Sequence, residues 1–117
     1  MSNILTQYHL TFINKTVAGE NFKLCKAPDA SVFNYIAGHL QYAADVSEFE
    51  SILDEIDNTL SNNPYQDSIG AGESYIEISP TQVTIEDIYS LPITDYKEII
   101  EEWIKFCKTP PFRHQRI

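Results

Sequence analysis

Long apolar runs are missing from this 117-residue chain, and no segment approaches the ~18 apolar residues of a membrane-spanning helix. Cysteine is nearly absent. Cys25 and Cys107 form no C-x-x-C pair and no metal-type spacing, so two buried, reduced thiols are expected instead of a disulfide framework or a zinc site. Histidine is limited to His9, His39 and His114, and no nucleophile elbow, metal motif or phosphate loop accompanies them, so no catalytic residue, metal or cofactor is expected. The opening Met1-Ser2-Asn3-Ile4-Leu5 has neither the basic start nor the apolar stretch of a signal peptide, and the expected location is cytoplasmic.

What the chain lacks most is positive charge. Eight Lys and Arg stand against seventeen Asp and Glu, for a net charge of −9. Fifteen of the carboxylates fall between Asp45 and Glu102, where Lys97 is the one base; that stretch carries −14, the residues before it +1 and those after it +4. Direct nucleic-acid binding needs a basic footprint and is therefore not expected. The cluster Lys105, Lys108, Arg113 and Arg116 is too short and too close to the acidic block to reverse this. Acidic surface keeps proteins soluble, but like charges within a Debye length of ~8 Å also repel, and that field can serve to meet a positively charged partner.

What is present is enough for a core. At 43% hydrophobic and 12% aromatic residues, the chain is no disordered acidic tail, and 1–117 reads as one domain. Residues 4–13 are β-branched and aromatic, which predicts a strand; Phe22–Lys26 alternates and predicts its hairpin partner across a turn containing Gly19. Phe33, Ile36, Ala37, Leu40 and Ala44 follow helical spacing, although Val32 to Ile36 also fits a strand. Ser47 and Glu50 form a capping-box pattern ahead of the stripe Phe49, Ile52, Leu53, Ile56 and Leu60, predicting a helix from Ser47 to Asn62.

Pro64 to Gly72 reads as loop. Glu73–Ile78 and Gln82–Ile88 alternate around Ser79-Pro80-Thr81, predicting a hairpin with Ile76, Ile78, Val83 and Ile85 inward and Tyr75, Glu77, Thr84 and Glu86 outward. Thr94 is placed to cap a last helix over Asp95–Lys108, with Tyr96, Ile99, Ile100, Trp103 and Cys107 as its stripe. The expected fold is α+β in the order β-β-α-α-β-β-α, an antiparallel sheet of two hairpins with three helices packed on one face.

The candidate partner-binding residues follow from that placement. Glu50, Asp54 and Asp57 share one flank of the Ser47–Asn62 helix, with no base on that helix to relieve them. Like-charged neighbours at this spacing cost a few tenths of a kcal/mol per pair. On the last helix Lys97, Glu101, Lys105 and Lys108 alternate in sign and are expected to neutralise one another. Tyr65 in the loop and Tyr75 on the outward strand face fit interface anchors, or tyrosines packing on their own loop. Asp67, Glu73, Glu77, Glu86 and Asp87 extend the negative field if loop and hairpin lie beside the acidic helix.

The second half of the chain also resembles a known family. Gly72-Glu73-Ser74-Tyr75-Ile76-Glu77-Ile78, then Val83-Thr84-Ile85, then Ile93-Thr94-Asp95-Tyr96-Lys97-Glu98-Ile99-Ile100-Glu101-Glu102-Trp103 is similar to bacterial immunity proteins of contact-dependent growth inhibition and related polymorphic toxin systems. The resemblance implies a non-enzymatic protein that binds a cognate toxin domain, often a basic nuclease, and covers its active site or substrate groove. Two alternatives stand beside it. One is an acidic nucleic-acid mimic or other protein-binding module without a cognate toxin. The other is a small hydrolase or ligand-binding domain, which needs a pocket converging on His39 or His9.

Overall fold

The computed structural model describes residues 4–42, 46–71 and 74–109. Its elements run α1 (Ile4–Gln7), β1 (Thr11–Val17), β2 (Glu20–Lys26), α2 (Asn34–Tyr42), α3 (Val46–Leu60), β3 (Ser68–Ala71), β4 (Ser74–Ile78), β5 (Gln82–Ile85), β6 (Tyr89–Pro92) and α4 (Ile93–Cys107). The expected α+β class and the order β-β-α-α-β-β-α are present, with α1, β3 and β6 added to them. The two hairpins belong to separate sheets. Strands β1 and β2 pair alone, while β4–β5 is the centre of a four-stranded antiparallel sheet ordered β3-β4-β5-β6.

Residues 4–13 are not one strand. Ile4 and Tyr8, four apart on one helical face, are both buried. The turn then closes with Leu10 N–H donating to Leu5 O (2.8 Å) and His9 N–H to Thr6 O (3.1 Å), His9 adopting φ +53°. This is a Schellman ending with histidine where glycine is usual. Helix α3 ends the same way: Asn62, at φ +62°, and Asn63 donate to Thr59 O and Asn58 O. The β1–β2 hairpin turns on Ala18 and Gly19, both at positive φ, between Val17 and Glu20. That is the primed geometry whose twist matches the strands.

Neither predicted helix cap forms as expected. Helix α3 begins at Val46, so Ser47 lies in its first turn, and Glu50 reaches across to Lys108. Helix α4 begins at Ile93 with Pro92 at its N-cap and no side-chain cap bond, which leaves Thr94 inside the helix. The Ile93 N–H donates instead to Thr81 O (3.1 Å), so the β4–β5 turn satisfies one orphan donor.

One apolar cluster joins these elements. Phe49, Ile52 and Ile56 of α3 meet Ile99, Ile100 and Trp103 of α4, and both helices and α2 cover the sheet face carrying Ile76, Ile78, Val83 and Ile85. Burying each such side chain contributes about 1.5–3 kcal/mol. The small sheet docks through Phe12, whose ring lies 5.0 Å from Trp103 at 73°. Among the described residues, no helix is long and apolar enough to cross a membrane.

Candidate functional site

The α2 segment Tyr35-Ile36-Ala37-Gly38-His39-Leu40 buries Ile36, Ala37 and Leu40 against the core. Tyr35, Gly38 and His39, at i, i+3 and i+4, therefore share the adjoining flank. Ser74 has the same strand parity as Ile76 and Ile78, so its hydroxyl faces inward beneath that flank. Tyr96 of α4 arrives from the other side. His39, Ser74 and Tyr96 are 3%, 7% and 0% exposed, a polar row inside an apolar core.

The row is hydrogen-bonded end to end. His39 Nδ1 lies 2.7 Å from Ser74 Oγ, and His39 Nε2 lies 2.8 Å from Tyr96 Oη. Counting donors orients it. Among the described residues the buried Tyr96 O–H has one acceptor, His39 Nε2, and an unmade bond there would cost ~1–3 kcal/mol. Tyr96 therefore donates to Nε2, the imidazole proton sits on Nδ1, and Nδ1–H donates to Ser74 Oγ. Burial holds His39 down to about 4, against the pull of Glu86 in the opposite direction, so the ring is neutral at pH 7. A neutral imidazole with its proton already facing Ser74 is not set to take the serine proton.

A cleft of about 280 Å³ opens onto this row, bounded by Tyr35, Gly38, His39, Ser74, Glu86 and Ile88. Tyr35 stacks on Tyr89, with ring centroids 6.3 Å apart and planes 14° from parallel. Tyr35 and Ile88, 39% and 63% exposed, form the apolar rim of the cleft. Glu86 and Asp87 both adopt positive φ in the turn between β5 and β6. In register with Tyr75, Glu86 accepts the Tyr75 N–H through its own carboxylate (Oε2, 2.8 Å), while its backbone N–H donates to Tyr75 O. The side chain replaces a ladder acceptor and is fixed at the cleft. A second cleft of about 510 Å³ lies between the small sheet and α2, lined by Lys15, Lys26 and Asp29 among others, and it holds no comparable buried polar row.

The sequence-predicted residues separate into groups. The α3 flank is answered by α4, which runs antiparallel to it: Asp57 lies 2.9 Å from Lys97 and Glu50 2.7 Å from Lys108. The expectation of an unrelieved acidic flank is thus corrected for two residues of three, because the relieving bases come from the neighbouring helix and its C-cap. Asp54 is exposed and makes no ion pair among the described residues. Correspondingly, α4 is not self-neutralised as expected, since Lys105–Glu102, at 3.7 Å, is the one ion pair within it among the described residues.

Tyr65 is half-buried against the core. Asp67 is exposed, and its backbone carbonyl extends the β3–β4 ladder to Ile78 N–H. Its loop does lie beside α3, with Gln66 N–H donating to Glu55 Oε1 (2.8 Å). Glu73 lies outside the described residues. Tyr75 and Glu77 point away from the helices, and the Tyr75 hydroxyl donates to Asp87, which pushes its pKa up to about 12. The outer sheet face and the α3 flank are therefore separate surfaces.

Sequence reading missed Ser74, Tyr96, Tyr35 and Ile88 as a site. The signals available were the i, i+3, i+4 spacing of Tyr35, Gly38 and His39 and the inward parity of Ser74. Of the two histidines considered for a pocket, His39 lines one, whereas His9 is exposed with its ring against Phe33. Among the described residues no three His, Cys, Asp or Glu are grouped to hold a metal ion. No family model, curated protein or solved structure matches the chain.

Proposed function

We propose that this chain is an immunity protein that binds a cognate bacterial toxin domain, basic and nuclease-like, in the cytoplasm and covers its active site or substrate groove. The observation that carries this reading is the charge of the segment building the four-stranded sheet. From Ser61 to Tyr96 it holds Asp67, Glu73, Glu77, Glu86, Asp87 and Asp95 and no lysine or arginine. All three ion pairs among the described residues involve lysines of α4 or its C-cap, away from the outer sheet face. A nuclease groove is positive because it holds phosphate, and a surface bearing Tyr75, Glu77 and Asp87 can occupy it as a competitor. Complementary charge raises association to ~10⁸ M⁻¹s⁻¹ or more at low salt, which suits an inhibitor that must act before its target finds substrate.

The lysine-answered α3 flank moves the weight of the contact toward the sheet and its turn, with Asp54 as the remaining free charge of that flank. A local patch of this kind also favours a specific partner over a nucleic-acid mimic, which needs carboxylates spaced like phosphates over most of one surface. The cleft favours the ligand-binding half of the third reading, while the donor order Tyr96→His39→Ser74 speaks against serine-nucleophile hydrolysis. The test is co-expression with the product of the gene immediately upstream, followed by pull-down. Co-purification of a large toxin's C-terminal domain supports the proposal, and its absence from a folded, abundant bait overturns it.

A further inference from the structure

We infer that the cleft between α2 and the β5–β6 turn is a receptor for one arginine side chain, presented by the basic partner proposed above. The identity of that presenter rests on the toxin-binding reading; the chemistry of the cleft does not. Size comes first. At about 280 Å³ the cleft sits just under the ~300–1,000 Å³ typical of sites for drug-sized ligands, which leaves room for a single side chain.

Charge comes second. Glu86 is the one acidic side chain among the described lining residues, and its Oε1 is not engaged by Tyr75 N–H. An anion entering would meet that carboxylate with no compensating base, since His39 is neutral. A cation meets it favourably.

Shape decides among cations. The Tyr35 ring is held by its stack on Tyr89, so it offers a fixed face at the rim. A planar guanidinium can lie against that face and direct N–H groups at Glu86 Oε1, a combination an ammonium matches less well. Ile88 then covers the aliphatic stem. At the floor, the Ser74 oxygen keeps a lone pair beyond the one that accepts His39 Nδ1–H, so it can take an N–H of the same guanidinium.

The probe is Nα-acetyl-arginine-N-methylamide, titrated to tens of millimolar into the ¹⁵N-labelled full chain and followed by amide shifts. The expected result is saturable shifts centred on Gly38, Ser74 and Glu86, at least tenfold weaker for Glu86→Gln and severalfold weaker for Tyr35→Leu. Glu86→Gln retains an oxygen for the Tyr75 N–H, and Tyr35→Leu changes an exposed position, so loss of binding with an unchanged spectrum elsewhere reads the cleft and not the fold. The neutral isostere Nα-acetyl-citrulline-N-methylamide is expected not to saturate. Equal binding of citrulline, shifts centred elsewhere, or no saturation would overturn the inference. If arginine saturates the cleft while pull-down yields no toxin, the cleft stands and the toxin reading falls. If the toxin binds wild type and Glu86→Gln alike while arginine fails to saturate, the cleft falls and the toxin reading stands.

Discussion

Replacing His39 by glutamine should remove a specific acid sensitivity. In the fold His39 is 3% exposed, and burial holds it at about 4, against ~6.5 for a free histidine. The unfolded chain therefore binds a proton that the folded chain refuses, and stability rises with pH between those two values. Equivalently, it is lost as pH falls from 6.5 toward 4. Integrated from pH 7.5 to 4.5, this one group costs the wild type roughly 2–3 kcal/mol. Carboxylates titrate in part of the same window, but they do so in the variant as well, so the difference between the two proteins isolates the histidine. His39→Gln loses part of the bonding to Ser74 and Tyr96, a cost that does not depend on pH. Urea unfolding at the two pH values should show wild type minus variant shrinking by roughly 2–3 kcal/mol on acidification. An unchanged difference would refute the neutral, buried imidazole and the donor order built on it.

Three further outcomes follow from the same contacts. His39 ring ¹⁵N shifts at pH 7 should report a proton on Nδ1 and none on Nε2; the opposite tautomer would reverse the Tyr96→His39→Ser74 order. Glu50→Lys, Asp54→Lys and Asp57→Lys together should lower stability in a thermal melt by about 1–2 kcal/mol, since two exposed ion pairs become like-charge contacts with Lys108 and Lys97. Simple relief of repulsion along α3 predicts an equal or higher melting temperature instead. Ala18→Gly should raise stability by roughly 0.5–1 kcal/mol, because Ala18 sits at φ +52° in a turn that favours glycine or asparagine; a lower melting temperature would count against the primed turn.

The long helices and the inner strands were legible because periodicity over many residues outweighs local detail. The α3 stripe from Phe49 to Ile56 and the alternation from Ile76 to Ile85 needed no tertiary information. Helix α1 was hidden by its length and by His9 at the position where glycine normally marks a helix end. Strand β3 is four residues, Ser68-Ile69-Gly70-Ala71, with glycine in it and little alternation to read. Strand β6 was hidden because its turn places Glu86 and Asp87 at positive φ, where Asn-Gly or Asp-Gly is the usual signal.

Charge was legible in amount but not in pairing. The flank of Glu50, Asp54 and Asp57 followed from helical geometry alone, yet which bases meet it depends on the antiparallel packing of α3 and α4. The cleft depends on the same kind of information, joining α2, β4, the β5–β6 turn and α4 across 62 positions of chain, from Tyr35 to Tyr96. Ser74 and Tyr96 carried individual signals of inward facing, but nothing local brings them to His39.

Toxin binding by the outer sheet face is tested by the dissociation constant for the upstream gene's toxin domain, compared between wild type and a Glu77→Lys, Asp87→Asn double variant at ~0.15 M salt. Those substitutions alter the outer sheet face and its turn and leave α3 untouched. The asparagine introduced by Asp87→Asn keeps an acceptor for the Tyr75 hydroxyl and tolerates positive φ. Binding weakened at least tenfold is expected in a variant that melts like the wild type. An unchanged dissociation constant would contradict it.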